Sequence, residues 1–126
     1  MRDFKKLQVW QKSHQLTLQI YQRTIEFPRG ELYGLTSQIR RAAASIPANI
    51  AEGCGRGGDN DRARLFHIAM GSASELEYHL LLARDLKLLT SDDHDRLTHD
   101  VIEVKRMLTS LIHKLKADGR NLKADG

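Results

Sequence analysis

The sequence predicts an all-α protein, a four-helix bundle, and three observations predict it. Four segments repeat apolar residues at intervals of three and four, the period of a helix with one face in a core. The breaks between them hold Pro28, Gly30 and the glycine-rich string GCGRGGDN over 53–60, residue types that end helices and form turns. The length, 126 residues, is enough for one core and too short for two.

The first helix is expected over about residues 7–27, with Val9, Leu16, Ile20 and Phe27 on one face and Leu18, Tyr21 and Ile25 on a neighbouring one. Pro28 lacks an amide proton and disfavours helical geometry in the residue before it, so the chain turns there. The second helix is expected over about residues 35–52, with Ile39, Ala42, Ala43, Ile46 and Ile50 inward and Gly53 as terminator. Pro47 lies inside it and predicts a kink or a break, because it removes the hydrogen bond to the Ala43 carbonyl. The alanines at 42, 43, 44, 48 and 51 allow a neighbouring helix to come close.

The third helix, expected to be the longest, starts near Asp59 or Asn60 as cap and runs to about 88. Phe66, Ala69, Ala73, Leu76, Leu80 and Ala83 form one stripe, and Leu65, Ile68, Leu82, Leu86 and Leu89 form a second beside it. Two stripes exceed what one neighbour covers, which predicts self-association. The fourth opens on Thr90-Ser91-Asp92-Asp93, a hydroxyl cap followed by acids that suit the positive end of the helix dipole. Leu97, Val101, Val104, Leu108, Leu111 and Leu115 then alternate spacings of four and three, the seam of helices packed at a shallow angle. Residues 1–116 form the bundle domain in this reading, and 117–126, which has no apolar face, form a flexible tail.

Composition narrows the function. With 40% hydrophobic and 29% charged residues the chain is too apolar and too periodic for disorder. No run approaches the ~18 apolar residues of a membrane span, and the polar opening has no signal-peptide core, so no membrane role and a cytoplasmic location are expected. The single Cys54 stands without a second Cys or a His at zinc-ligand spacing and reads as a passive thiol. Net charge is +4 and uneven: residues 1–58 carry nine Lys/Arg against four Asp/Glu, residues 59–126 eleven against twelve. A basic half of this kind attracts phosphates, although modest charge also keeps ordinary domains soluble.

Catalytic patterns are missing. The glycine-rich string has neither the Lys-Ser/Thr pair of a phosphate-binding loop nor a preceding strand. Glu75 and His79 share a helix face, but no Glu-x-x-His pair recurs on two helices as a di-iron bundle requires, so no metal or other cofactor is expected. His94 and His99 read as solvated, and His14, His67 and His113 have no evident partner. No serine stands in a glycine elbow, and the chain reads as no enzyme.

Polar groups inside apolar segments are more informative. Arg40 or Arg41 can pair with Glu75 or Glu77 across packed helices, since a charge near a core is tolerated beside its opposite. In the other reading Arg40 and Arg41, with Lys5, Lys6 and Lys12 and the loop residue Arg56, form a basic surface for RNA or DNA phosphates. Trp10, Tyr21 and Tyr33 are candidates for stacking on bases, against the commoner use of a lone aromatic as core.

The strings FKKLQVW (4–10), Phe27-Pro28, YGLT (33–36), QIRR (38–41), SIPANIAEG (45–53) and GSASELE (71–77) closely resemble a small bacterial family named for intervening sequences in 23S ribosomal RNA. The resemblance covers about residues 4–115. It implies an up-and-down antiparallel four-helix bundle assembled as a ring-shaped homopentamer. Relatives in this fold group include the accessory protein of diversity-generating retroelements, a basic nucleic-acid-binding pentamer, which brings in a reverse transcriptase as a conceivable protein partner. The family name records gene location and implies no catalytic residues. The family-like positions Pro47, Asn49, Glu52, Gly53, Glu75 and Glu77 are expected to be architectural. The function expected is therefore a non-enzymatic oligomeric module binding structured RNA or DNA, with a purely protein-binding scaffold as the alternative.

Overall fold

A computed structural model describes the backbone of residues 3–125 and side chains through residue 118. Four helices follow one another, α1 (Gln8–Thr24), α2 (Leu35–Cys54), α3 (Asp59–Asp85) and α4 (Ser91–Asp125), with short 3-10 turns at Phe4–Lys6 and Arg29–Glu31 and no strand among the described residues. Each helix packs on its chain neighbours, α1 closes on α4, and the diagonal pairs stay apart. Cross-contacts run in opposite directions along each pair: Lys12 meets Asp100 and Arg23 meets Asp93 between α1 and α4, and Ser45 meets Ser72 while Gly53 meets Phe66 between α2 and α3. The result is the up-and-down antiparallel bundle.

One core fills the centre, with Leu16, Ile20, Ile39, Ile46, Ile50, Phe66, Leu76, Leu80, Val101, Val104 and Leu108 essentially closed to solvent. On α1 the inner face is Val9, Leu16 and Ile20, joined by the hydroxyls of Ser13, Thr17 and Thr24, whereas Leu18, Tyr21 and Ile25 point outward. On α4 Leu97, Val101, Val104, Leu108 and Leu115 are buried as expected, while Ile112 takes the buried position expected for Leu111, which packs at the flank. No described helix is long and apolar enough to cross a membrane.

Of the kink or break expected at Pro47, the break does not occur: α2 is one helix from Leu35 to Cys54. The reason lies on α1. Pro47 cannot donate to the Ala43 carbonyl, and the Thr17 hydroxyl reaches that oxygen at 3.1 Å while also lying 2.8 Å from the Ser13 carbonyl. A hydroxyl from the neighbouring helix thus replaces the missing amide. Ala42, Ala43 and Pro47 are buried, so the close approach that this bond requires is open.

Several helix ends also differ from expectation: α1 stops at Thr24, and α2 runs through Gly53, the expected terminator, to Cys54 with Gly55 as its cap. Gly58, with no side-chain bond, occupies the cap of α3, and Asp59 inside the first turn pairs with Arg62 at 2.9 Å instead. α3 ends at Asp85, because Lys87 adopts the left-handed conformation (φ 63°) and the Leu88 amide turns back to the Ala83 carbonyl at 2.9 Å. The fourth helix, not the third, is the longest, since its backbone continues to Asp125 over the stretch expected to be an unstructured tail. Helical hydrogen bonds are internal to the backbone and need no apolar face to form. Its start is as expected: the Thr90 hydroxyl accepts the Asp93 amide at 3.1 Å.

Two measurements check this packing. Thr17→Val leaves the Ala43 carbonyl buried without a donor, and urea unfolding is expected to show a loss of about 1–3 kcal/mol. The loss should shrink when Pro47→Ala restores an amide at position 47, so a double-mutant cycle reports the coupling directly. At Gly53 an added Cβ would sit 2.6 Å from Phe66 Cε1 and 3.4 Å from Leu65 Cβ. Gly53→Ala is therefore expected to destabilise the fold by about 1–3 kcal/mol, and an unchanged thermal midpoint would contradict that contact.

Candidate nucleic-acid interface

The outward face of α2 carries Ser37, Arg40, Arg41, Ala44, Ser45 and Ala48 at helical spacing, and the two alanines leave a hollow between it and α1. Tyr21 on α1 and Leu32 and Tyr33 in the connecting turn complete a groove of about 700 Å³. Tyr33 is 94% exposed. The Thr36 hydroxyl, on the same wall, is buried and has no hydrogen-bond partner among the described residues.

Arg40 is held in place by α1. Its Nε donates to Thr24 Oγ1 at 2.9 Å, that hydroxyl in turn donates to the Ile20 carbonyl at 2.8 Å, and the guanidinium carbon lies 4.8 Å from the centre of the Tyr21 ring. Neither Arg40 nor Arg41 forms an ion pair among the described residues. The pairing of either arginine with Glu75 or Glu77 is thereby overturned. Glu77 is taken by Lys105 on α4 at 3.0 Å, and Glu75 contacts His79 at 3.2 Å one turn along its own helix. Arg41 does share a second, smaller groove with Gln38, Ser45, Ser72, Glu75 and His79, without closing to ion-pair distance.

The other basic residues are not gathered here. Lys12 is tied to Asp100 at 3.5 Å. Arg56 lies between Glu52 at 2.7 Å and Asp61 at 3.5 Å, and the bond from Glu52 holds its guanidinium above the ordinary arginine range. Lys5 and Lys6 are exposed on the first 3-10 turn, which packs near the far end of α2. From Arg41 to the end of α2 at Cys54 the helix rises roughly 20 Å at 1.5 Å per residue, and Arg56 lies beyond that end. The expected basic residues thus do not form one surface, and among the described residues Arg40 and Arg41 share a groove with no acid in direct contact.

The family-like string has structural work. Asn49 Nδ2 donates to the Ser45 carbonyl at 2.8 Å and lies 2.9 Å from Ser45 Oγ, which hydrogen bonds Ser72 Oγ at 2.8 Å, so the three side chains clip α2 to α3. Pro47 and Gly53 are buried against neighbours, and Glu52 serves Arg56. Sequence reading missed Thr17, Thr24 and Ser13 because a hydroxyl at an inward position looks like a gap in an apolar stripe. The signal available was their spacing, which falls on the same face as Val9, Leu16 and Ile20.

Two histidines also sit otherwise than expected. His94 is buried, with Asp95 Oδ1 at 3.1 Å and Thr98 Oγ1 at 3.3 Å, and His14 stacks on Trp10 at 4.9 Å. Trp10 packs edge-on against Phe4 as well, which makes it part of the bundle end. No group of three or more His, Cys, Asp or Glu side chains among the described residues lies close enough to hold a metal.

An antiparallel four-helix bundle with one arginine–tyrosine groove and a clipped α2–α3 seam defines a small helical module. A profile of the 23S rRNA-intervening sequence protein family matches residues 5–110. The chain belongs to that family. Among solved structures it is similar to a protein of unknown function of the S23 ribosomal protein family from Bacteroides thetaiotaomicron VPI-5482, at 27% identity and a TM-score of 0.75 over 82% of this chain and 97% of that one. A comparison with curated proteins gave no match.

Burial raises the Cys54 thiol above its ordinary pKa, an effect that Arg62 only partly opposes. A thiol so placed is a poor nucleophile. Labelling of the folded protein by a disulfide reagent at neutral pH is expected to be many times slower than labelling in urea, and equal rates would show that Cys54 is open to solvent.

Proposed function

We propose that the chain is a non-enzymatic, cytoplasmic four-helix module that assembles into a homo-oligomer, a pentamer by its family resemblance, and binds structured RNA or DNA through its basic α1–α2 face. The observation that carries this reading is the pair Arg40 and Arg41, free of carboxylate partners among the described residues, in a groove bordered by exposed tyrosine rings. Guanidinium groups match phosphate oxygens in geometry and charge, and tyrosine faces accept bases. Assembly is supported by the apolar side chains that stay exposed along α3 and α4, namely Ile68, Tyr78, Leu81, Leu86 and Ile102.

Fluorescence anisotropy with a labelled structured RNA across a salt series tests the proposal. Affinity is expected to fall with rising salt, and Arg41→Gln should reduce the slope of log affinity against log salt by about one. Binding that ignores salt, or no binding at low salt, would remove phosphate recognition. The second reading, a scaffold that binds only protein, draws on the same exposed residues of α3 and α4. It requires a co-purifying protein that nuclease treatment leaves in place.

A further inference from the structure

The distribution of unpaired charge bears on which form of nucleic acid the groove suits. Lys12, Arg23, Arg56 and Lys105 each lie within 3.7 Å of a carboxylate, so their charge is partly offset at short range. A duplex presents its phosphates outside and its bases stacked within, and a protein that grips it does so through cations spread along a surface. Here Arg40 and Arg41 sit together in one open groove of about 700 Å³.

The chemistry of the hollow is that of a nucleotide. Arg40 is set in advance: Thr24 takes its Nε and Tyr21 supports its face, leaving the two terminal nitrogens without a hydrogen-bond partner among the described residues. A half-buried guanidinium with no acid beside it favours an arriving anion. Glu31 Oε2 lies 3.4 Å from the Leu35 nitrogen, so the first amide of α2 is already engaged by this chain's own carboxylate. Tyr33 stands almost wholly in solvent with Leu32 beside it, an open aromatic face on the rim, while Ser37 and Ser45 supply hydrogen-bonding groups around the wall.

We infer that the α1–α2 groove takes an unpaired nucleotide of a single-stranded segment, with the base against Tyr33 and the phosphate on Arg40 and Arg41. The inference rests on the nucleic-acid reading above and specifies its ligand: loops, bulges or single strands, whose bases can leave the stack, rather than duplex.

Anisotropy titrations of the full chain with labelled oligo-adenylate, and with the same strand annealed to oligo-uridylate, test it. The single strand is expected to bind more tightly. Tyr33→Ala should weaken single-strand binding about tenfold, while Tyr33→Phe, which keeps the ring, should leave it unchanged and neither should alter duplex binding. Because Tyr33 is 94% exposed, its replacement leaves the core untouched, and circular dichroism checks this. Light scattering of the same variants reports subunit number, and a change on Tyr33→Ala would overturn the inference by making the ring a contact between copies. Duplex preference, or single-strand affinity indifferent to Tyr33→Ala, would overturn it too while leaving the nucleic-acid reading standing. Failure of every nucleic acid to bind at low salt would remove both.

Discussion

The hydrogen bond from Thr17 to the Ala43 carbonyl is the constraint around which the bundle is arranged. A proline at position 47 leaves one carbonyl of α2 without an intrahelical donor, and a buried carbonyl in that state is costly. The bond that answers it comes from another helix, so α2 remains continuous only while α1 is close and in register. Residues without bulk make that approach feasible: Ala42 and Ala43 on α2, and Ser13 and Thr17 on α1, are all buried at the contact. The same register places Thr24 under Arg40 and Tyr21 under its guanidinium. Helix continuity and the posture of the groove arginine thus share one cause.

On its opposite side α2 meets α3 by a different device. Gly53 admits the Phe66 ring, and the Asn49–Ser45–Ser72 chain of hydrogen bonds fixes the sliding position of the two helices. Apolar packing alone tolerates small shifts along a helix axis, whereas a hydrogen-bonded clip between named side chains does not. With both flanks of α2 pinned, its outward residues form a rigid wall, and a rigid wall holds a binding groove in a defined shape. Acids on α3 and α4 meanwhile engage several cations at the helix surfaces, as Glu77 does Lys105.

Much of this was legible in advance. Four helices, their order and most of their inward residues follow from apolar spacing, because a helix in water must hide one stripe and the stripe repeats every 3.6 residues. The start of α4 was legible from Thr90 and the acids after it, because a cap acts on amides within three residues of itself. The SIPANIAEG string pointed to the family that the profile match then showed. Less legible were Ser13, Thr17 and Thr24, whose hydroxyls look polar in sequence yet satisfy carbonyls in the core.

By itself the sequence determined the helices, their amphipathic faces and the residue types available to a site, since these depend on neighbours a few positions away. Only the tertiary structure decided which charges cancel and which stay free. Arg40 and Arg41 could not be assigned to an ion pair or to an open groove from spacing, because Arg40's partner Thr24 lies 16 positions away and competing cations, such as Lys105 for Glu77, approach from a third helix. Electrostatic pairing is a matter of distance in space, and that distance is set when the cores of all four helices close together.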